Sequence, residues 1–279
     1  MEAGILYICP TPIGNLADIT IRALRVLEKV DLIAAEDTRH TMKLLNHYEI
    51  KNRLISYHEH NERDRAELLI QELKAGTDIA LVTDAGMPGI SDPGQHLIQL
   101  AIEHGMEVTC LPGTTASITA LVLSGLPTNR FVFEGFLSSR RKDRIGELDG
   151  LKDEDRTIIL YESPHRLVGL LEDLKQVFGN RRLSISRELT KVHEETFRGD
   201  IDECLERFQD ITPRGEFVLV LDGAEVIAKD PFEDIALEDH IQSYIDEGLS
   251  KRDAVKKVAE MRDLPRNLVY RASIDKGKK

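Results

Sequence analysis

The chain contains no tryptophan and only three cysteines among its 279 residues. Cys9, Cys110 and Cys204 stand far apart, and none of them has the CxxC spacing of a zinc or redox site. This scarcity argues against a disulfide-stabilised scaffold. It predicts three reduced cysteines packed in the core.

The sequence also lacks a long apolar run. Its longest mostly apolar stretch, residues 116–126, is much shorter than the ~20 residues that a membrane-spanning helix needs. No positively charged segment followed by an apolar one opens the chain. Hydrophobic residues make up 41% and charged residues 31%, as in many globular enzymes, and we expect a cytoplasmic protein.

Both common glycine-rich phosphate signatures, GxGxxG and GxxxxGK[ST], are missing. Lys and Arg are also missing from two loop-like segments rich in glycine, proline or hydroxyl side chains, 83–94 and 112–117. A bound polyphosphate would lack its usual counter-charge there. The pattern therefore argues against a nucleoside triphosphate as ligand.

Short apolar runs alternate with amphipathic helical stretches through the first 120 residues. Strand-like runs lie at 5–9, 32–35, 53–57, 78–82 and 107–111. Repeated β-α units predict a mainly parallel sheet. We therefore predict an N-terminal α/β domain over 1–120.

A second α/β domain, of mixed strand direction, is predicted over 121–229. Its strands are expected at 131–136, 157–161, 183–186, 194–198 and 217–221, and segment 138–144 is expected to be a polar, basic connection. Leu167, Leu170, Leu171, Leu174 and Val177 recur at helical spacing after Ser163-Pro164, a predicted helix start.

The third predicted piece, 230–279, is helical and unevenly charged. Residues 230–249 carry seven acidic and no basic side chains, whereas 250–279 carry ten Lys or Arg against four Asp or Glu, in a chain of net charge −12. Two short helices around residues 264–267 resemble a helix-turn-helix. This basic end predicts contact with nucleic acid, with Lys256 and Lys257 as candidates; a solubilising helical end is the alternative.

Ligands of parallel α/β sheets bind beyond the carboxyl ends of the strands. Loop 83–94 offers carboxylates and carbonyls there, and Asp92-Pro93 within it is expected to cap the next helix. A cationic or zwitterionic nucleoside such as S-adenosylmethionine would suit Asp84 and the helix start after Pro112-Gly113. Ordinary tight turns are the alternative for each loop taken alone.

The ordered motifs LYICPTPIGNLADIT, AEDTR, VTDAGMPGISDPG, LPGTTASITAL, YESPHR and RGEFVLVLDG resemble the tetrapyrrole methylase superfamily of S-adenosylmethionine-dependent methyltransferases. Within it, the chain is similar to the bacterial branch that 2′-O-methylates a decoding-centre cytidine of 16S rRNA in the 30S subunit. The resemblance implies a two-domain, class III methyltransferase fold with the cofactor in the cleft between the domains, and a homodimer.

The resemblance also implies which residues bind the cofactor. Matched to the family motifs, they are Pro12, Ile13, Asp84, Ala85, Met87, Pro112, Thr115, Ala116, Ser117, Tyr161 and, in the last loop from Pro213, Glu216. Two departures from the corrin-forming branch argue against a tetrapyrrole as the substrate. Ala85 stands where that branch has proline, and Pro10-Thr11-Pro12 replaces its glycine-rich first loop.

Methyl transfer from sulfur needs no metal, and none is predicted. A ribose hydroxyl needs a proton acceptor, for which the candidates, with a neighbouring arginine that could orient them, are Glu36, Asp37, Arg39, Glu162, His165 and Glu188. RNA-contact candidates besides the C-terminal lysines are Arg140, Arg141, Lys142, Arg166, Arg187 and Lys191.

Simpler interpretations stay open for several of these residues. Glu36 or Asp37 could cap a helix starting near Thr38, and Glu162 and Arg166 could form a helix pair. At the level of function, the alternatives are a small-molecule methylase acting on a tetrapyrrole-like substrate, and a non-catalytic, ribosome-associated RNA-binding protein.

Overall fold

A computed structural model describes residues 2–209, 215–225, 232 and 235–275. The chain divides into two compact units, Met1–Ala224 and Glu225–Lys279. The predicted boundary at 229/230 and residues 213–214 of the last family loop lie outside the described residues. The division of the first unit into domains at residue 120 stays a prediction.

The first unit opens with a five-stranded sheet whose strands are all parallel. The strands are β1 (Ile5–Ile8), β2 (Leu32–Ala35), β3 (Leu54–Ser56), β4 (Ile79–Val82) and β5 (Glu107–Cys110). Their spatial order is β3-β2-β4-β1-β5. The parallel β-α pattern predicted for this half is confirmed. β2 and β4, with neighbours on both sides, are completely buried, as expected for strands that read as continuous apolar runs.

Helices cover both faces of this sheet. They are α1 (Ile21–Lys29), α2 (Thr38–His47), α3 (Glu62–Lys74), α4 (Gln95–Glu103) and α5 (Ala116–Ser124), with a short 3-10 turn at Leu16–Asp18. Thr20 caps α1 by accepting from the amide of Ala23 at 3.0 Å, and Asp37 caps α2 by accepting from the amide of Arg39 at 2.8 Å.

The second sheet has mixed direction, as predicted. Its strands are β6 (Phe131–Phe136), β7 (Thr157–Glu162), β8 (Arg182–Arg187), β9 (Glu195–Asp200) and β10 (Phe217–Leu221), in the order β6-β7-β10-β8-β9. Only β6 and β7 pair in parallel. Its helices are α6 (Arg141–Gly150), α7 (Leu167–Phe178) and α8 (Ile201–Phe208).

One face of the second sheet packs on α7, whose five predicted apolar positions are all buried. The opposite face packs on α5, where Ala120 and Leu121 contact a cluster that includes Ile159, Val218 and Val220. Helix α5, the last helix of the first α/β pattern, therefore covers one face of the second sheet.

Four local predictions were wrong. Segment 138–144 is only partly a connecting loop, because α6 starts at Arg141. On this helix, Arg141 and Arg144 form ion pairs with the buried Asp173. Asp92 does not cap α4, whose N-cap is Gly94. Helix α7 starts at Leu167, after the turn that holds Ser163-Pro164. Cys110 is exposed, because β5 is an edge strand.

The second unit is a three-helix cluster of α9 (Leu237–Asp246), α10 (Lys251–Met261) and α11 (Arg266–Asp275). Its core consists of Ile241, Ala254, Val255, Val258, Ala259 and Val269. Ser250 caps α10 by accepting from the amide of Asp253 at 3.2 Å. The predicted pair of short helices is present, with a third helix packed against both.

Within the described part of the chain, no helix is both long enough and apolar enough to cross a membrane.

Candidate functional site

A cavity of about 610 Å³ lies in the first unit, between the carboxyl ends of the first sheet's strands and the edge of the second sheet. Its first-sheet lining follows β1, β2, β4 and β5: Ile13, Glu36, Asp84, Ala85, Gly86, Met87, Ile90, Ser91, Asp92, Thr115, Ala116, Ser117 and Ile118. The second sheet adds Phe133, Phe136, Tyr161, Glu188, Leu189, Lys191, Glu216, Phe217 and Val218. Both the position and the volume suit a small-molecule site.

The floor of the cavity is fixed by Pro10-Thr11-Pro12. Thr11 has the one backbone N–H of this tripeptide, and it donates to the carbonyl of Gly86 at 2.9 Å, while Gly86 donates back at 3.0 Å. The Thr11 hydroxyl also donates to the carbonyl of Thr83 at 3.0 Å. The two loops thus behave as one short antiparallel bridge. No amide of this tripeptide is left over to bind a phosphate.

The opposite wall is aromatic and depends on a β-bulge in β6. Pairing with β7 shifts register between Phe133 and Gly135, and Gly135 adopts φ +62°. The bulge lets Phe133 and Phe136, three residues apart, both contact Tyr161, with ring centroids 5.0 and 5.4 Å away. The Tyr161 hydroxyl accepts from the amide of Ser117 at 3.1 Å, which ties this wall to the first turn of α5.

The loop after β8 lies on the same side of the cavity as the aromatic wall. Lys191 donates from its ammonium to the Glu188 carboxylate at 2.8 Å. Glu188 and Thr190 have positive φ values of 52° and 66°, which non-glycine residues seldom adopt. Such backbone strain is common where a loop is shaped for a ligand.

Carboxylates dominate the electrostatics of the cavity. Glu36, Asp84, Asp92, Glu188 and Glu216 line it, whereas its one described cationic side chain, Lys191, is paired with Glu188. Burial, with help from Glu36, Glu216 and Asp84, raises the pKa of Asp92 to about 6. Burial also raises the pKa of Glu36. The cavity therefore favours a cationic ligand, which would relieve this repulsion.

Nine of the eleven residues predicted to bind the cofactor line this cavity. They are Ile13, Asp84, Ala85, Met87, Thr115, Ala116, Ser117, Tyr161 and Glu216. Pro12 and Pro112 do not. Pro12 belongs to the bridged tripeptide behind the lining, and Pro112 precedes Gly113, which packs so closely on Pro10 that a Cβ would lie 2.3 Å from the proline ring.

The predicted proton-transfer residues are only partly brought together. Glu36 and Glu188 line the cavity, whereas Asp37, Arg39, Glu162 and His165 do not. Asp37 caps α2 and binds the exposed Arg39 in a two-pronged ion pair, and the side-chain hydrogen bonds from Arg39 hold the pKa of Asp37 well below its usual range. This arrangement matches the simpler interpretation, in which Asp37 caps a helix. Glu162 is fully buried and pairs with Arg166 at 3.3 Å, the helix-pair alternative in a turn before α7.

The predicted RNA-contact residues fall into two groups. Arg140, Lys142, Lys191, Lys256 and Lys257 are exposed, as is most of Arg141, although its Nε donates to Asp173 at 2.8 Å. Arg166 instead donates to the carbonyls of Leu137 and Ser138, and Arg187 pairs with Glu195 at 2.5 Å. We interpret the guanidinium groups of Arg166 and Arg187 as structural contacts within the protein.

Sequence reasoning missed several lining residues. The sequence pattern around Asp92 predicts a helix cap, whereas the residue lines the cavity. The aromatic pair Phe133 and Phe136 depends on a bulge, and Gly135 was the available signal for it. Among the described residues, no group of His, Cys, Asp and Glu is arranged to hold a metal ion.

Comparison with known proteins agrees with this architecture. Residues 5–205 match the family described as Tetrapyrrole (Corrin/Porphyrin) Methylases. A solved structure of uroporphyrin-III-C-methyltransferase from Thermus thermophilus covers 78% of this chain and 94% of its own, with a TM-score of 0.57 and 20% identity. Another from that organism, described as complexed with S-adenyl homocysteine, gives a TM-score of 0.56 at 18% identity, with coverage of 78% and 97%. These structures share the fold.

The two-sheet fold and its cavity define a methyltransferase, and the chain belongs to the tetrapyrrole methylases, an S-adenosylmethionine-dependent family. Among curated relatives, a protein of Synechocystis sp. is 50% identical over 273 residues, covering 98% of both chains. One from Bacillus subtilis is 44% identical over 275 residues, covering 97% of this chain and 94% of its own. Both are named ribosomal RNA small subunit methyltransferase I, and this chain belongs to their family.

The residues present fit S-adenosylmethionine. Its sulfonium and ammonium groups suit a wall of carboxylates, among them the half-buried Asp92, whose pKa is raised by burial and by the neighbouring acids. Its own carboxylate suits the first turn of α5, where main-chain N–H groups lack partners within the helix. Its adenine suits the apolar lining of Ile13, Leu189 and Val218.

Proposed function

We propose that this protein transfers a methyl group from S-adenosylmethionine to the ribose 2′ oxygen of a decoding-centre cytidine in 16S rRNA of the small ribosomal subunit. The observation that carries the proposal is the carboxylate-lined cavity, whose only described cation is already paired. The nearly full-length similarity to small subunit methyltransferases supports the choice of substrate.

The cofactor, when bound, supplies a methyl group on positively charged sulfur. The residues of this chain bind and orient it. Asp84 receives a hydrogen bond from the amide of Asp37 at 3.2 Å and is thereby held at the end of β4, with its charge facing the cavity. Tyr161, fixed by Ser117, and the adjacent phenylalanines exclude water from one side. Orientation and dehydration account for much of the rate gain in such displacements.

Exposed positive side chains are proposed to bind RNA phosphates. On the first unit, Arg140 precedes α6, Arg141 and Lys142 begin it, and Lys191 lies at the cavity. On the second unit, Lys256 and Lys257 are exposed on α10. Phosphate contacts of this kind position RNA without reading its sequence.

We also propose a cytoplasmic homodimer that acts on assembled 30S particles. The support for dimerisation is the resemblance to the family together with α5, which exposes Ile118 and Val122 four residues apart on one face. Light scattering of the purified protein tests the assembly state. A monomer at micromolar concentration would contradict it.

The direct test of function has two stages. Calorimetry should show S-adenosylmethionine binding at one site per chain, and labelled methyl transfer should then be measured on unmethylated 30S subunits. Mass spectrometry of RNA fragments should place the label on a cytidine ribose. Transfer to a tetrapyrrole without RNA would favour the small-molecule alternative, and binding of 30S without transfer would favour the non-catalytic one.

A further inference from the structure

Asp92 lies in the loop between β4 and α4 and lines the cavity. Gly94, with φ +143°, takes the N-cap position of α4, so the Asp92 carboxylate is not used to cap this helix. Within the described part of the chain, no hydrogen bond or ion pair holds it, although the residue is half-buried. Its carboxylate has therefore lost part of its hydration without gaining a hydrogen bond or ion pair from the described residues.

The other acids of the cavity differ from Asp92 in this respect. Glu36 accepts from the amide of Asp84 at 3.1 Å, Asp84 accepts from the amide of Asp37, and Glu188 is paired with Lys191. Glu216 is exposed to solvent. Asp92 therefore combines partial burial with a free carboxylate, the combination that a proton acceptor needs.

Asp92 also borders a second recess of about 460 Å³, which shares Ile90, Ser91 and Asp92 with the cofactor cavity. Its lining is polar and includes Glu59, Glu62, Gln95, His96 and Gln99. Carboxylates and amides suit the hydroxyls of a sugar. Asp92 is thus placed where a ribose in the recess would meet a cofactor in the cavity.

Several charged or titratable groups surround this carboxylate. From the cavity side, Glu36, Asp84, Glu216 and Tyr161 face it, and from the recess side Glu59, Glu62 and His96 do. Burial and the three cavity acids place the pKa of Asp92 at about 6, close to the pH at which a general base works best.

We propose that Asp92 is the general base of the reaction. The proton of the ribose 2′ hydroxyl passes to the Asp92 carboxylate while the 2′ oxygen forms its bond to the methyl carbon. The carbon–sulfur bond breaks with its electron pair staying on sulfur. The products are a methylated ribose, a neutral thioether and a protonated Asp92, which later returns its proton to water. This role rests on the proposed function.

The test compares wild type with Asp92→Asn, Asp92→Glu and a surface control, Asp149→Asn, at an exposed position on α6 where the described part of the chain shows no ion pair. Asp92→Asn keeps the size of the side chain and removes the base, so single-turnover transfer to 30S should fall about 10²- to 10⁴-fold, the usual contribution of a general base. Asp92→Glu should recover part of this loss. Asp149→Asn should match wild type.

Two further readouts separate proton transfer from binding or folding. With S-adenosylmethionine saturating, the wild-type rate of transfer to 30S should rise with pH as Asp92 loses its proton, and Asp92→Asn should lose this pH dependence. Calorimetry should show cofactor affinity reduced by less than about tenfold, as expected for one partly screened charge. Thermal melts and 30S binding should stay near the wild-type values.

The proposal is overturned if Asp92→Asn keeps the wild-type rate and pH dependence, or if its cofactor affinity falls as far as its rate. The second result would make Asp92 a cofactor ligand. Wild-type transfer is measured first, so a failure of the proposed function itself would show as no transfer by wild type to 30S. A failure confined to the role of Asp92 would leave wild-type transfer intact.

Discussion

At the scale of single residues, the cavity depends on where carboxylates lie relative to their partners. Asp37 and Asp84 stand near each other, yet Asp37 is half-buried and paired with the exposed Arg39, whereas Asp84 faces the cavity. Residue type alone could not separate them, since both follow a strand of the parallel sheet. The difference arises because the backbone turn after β2 points Asp37 into the first turn of α2.

Asp84→Ala should weaken S-adenosylmethionine binding about 10- to 100-fold, since a hydrogen bond or contact to a charged group contributes about 1.5–3 kcal/mol. Asp84→Asn is the matched control, because its side-chain oxygen can still accept from the amide of Asp37. It should bind better than the alanine variant but worse than wild type. Equal affinity of all three by calorimetry would contradict the role of Asp84.

The affinity for S-adenosylmethionine should depend on pH through the raised pKa of Asp92. Its carboxylate is charged above a pH of about 6 and becomes neutral as the pH falls through that value. Because the charged form attracts the sulfonium, binding should be strongest at neutral pH and weaken towards pH 5. Binding near pH 6 should also release part of a proton.

Calorimetry in buffers of different ionisation enthalpy measures that release. Glu36, whose pKa burial also raises, should contribute a smaller share. Asp92→Asn should therefore reduce the release without abolishing it. Pure pH independence between 5 and 8 would contradict the charge-based account of the cavity.

At the scale of elements, the sequence predicted the central strands well because they are short, continuous apolar runs buried in a core. β2 and β4 are buried along their whole length, and their bounds match the apolar runs closely. The carboxyl-end rule then placed most of the first-sheet lining in the correct loops.

Elements shaped by long-range contacts were predicted less well. Helix α6 starts inside a basic segment because Asp173, about thirty residues away and fully buried, fixes Arg141 and Arg144 at 2.8 and 2.6 Å. The aromatic wall was missed because the bulge at Gly135 brings Phe133 and Phe136 to one side, against the alternation that an unbroken strand would have. Neither feature is visible in a local pattern.

Gly135→Ala tests the bulge. An added Cβ would meet nothing closer than the Ser91 hydroxyl at 3.6 Å, so the effect comes from the positive φ of 62°. The left-handed backbone costs a residue with a Cβ about 1–2 kcal/mol. We expect this loss in the free energy of unfolding by urea titration, with weaker cofactor binding as Phe136 shifts.

Gly146→Ala is the matched control for that experiment. Gly146 lies within α6, has open space around its Cβ position and has no positive φ. Alanine there should stabilise the protein by up to about 1 kcal/mol. If the two substitutions changed stability alike, the bulge would not depend on glycine.

At the scale of the whole molecule, charge is divided along the chain, and the basic residues concentrate in its last thirty positions. The chain is acidic overall, and its cavity is acidic, whereas the last thirty residues are basic. Under the proposed function, this division separates cofactor binding at the cavity from RNA binding at the basic end. It could be predicted from the sequence because it depends on composition, although the three-helix packing that presents Lys256 and Lys257 could not.

Lys256→Glu with Lys257→Glu should weaken binding to 30S subunits and reduce its dependence on salt, since fewer counterions are released. Cofactor affinity should stay at the wild-type value. Filter binding at several salt concentrations measures binding to 30S subunits, and calorimetry measures the cofactor affinity of the same variants.

The control for this pair is Lys51→Glu with Lys152→Glu, which makes the same change in net charge at exposed lysines of the first unit. Lys256→Glu alone is a second control, because it preserves the contact of Lys257 with the Tyr244 ring, 4.1 Å away. If the first-unit pair weakened 30S binding equally, net charge and not the position on α10 would explain the effect.

The carboxylate wall has a consequence for the direction of the reaction. In the proposed step a positive sulfur and a negative carboxylate become a neutral thioether and a neutral carboxyl, so the reaction cancels charge within the cavity. A poorly hydrated cavity favours such cancellation, because it solvates separated charges less well than water does. The same walls that attract the cofactor lose that attraction once the methyl group has moved, so the spent cofactor leaves a site that no longer holds it by its sulfur.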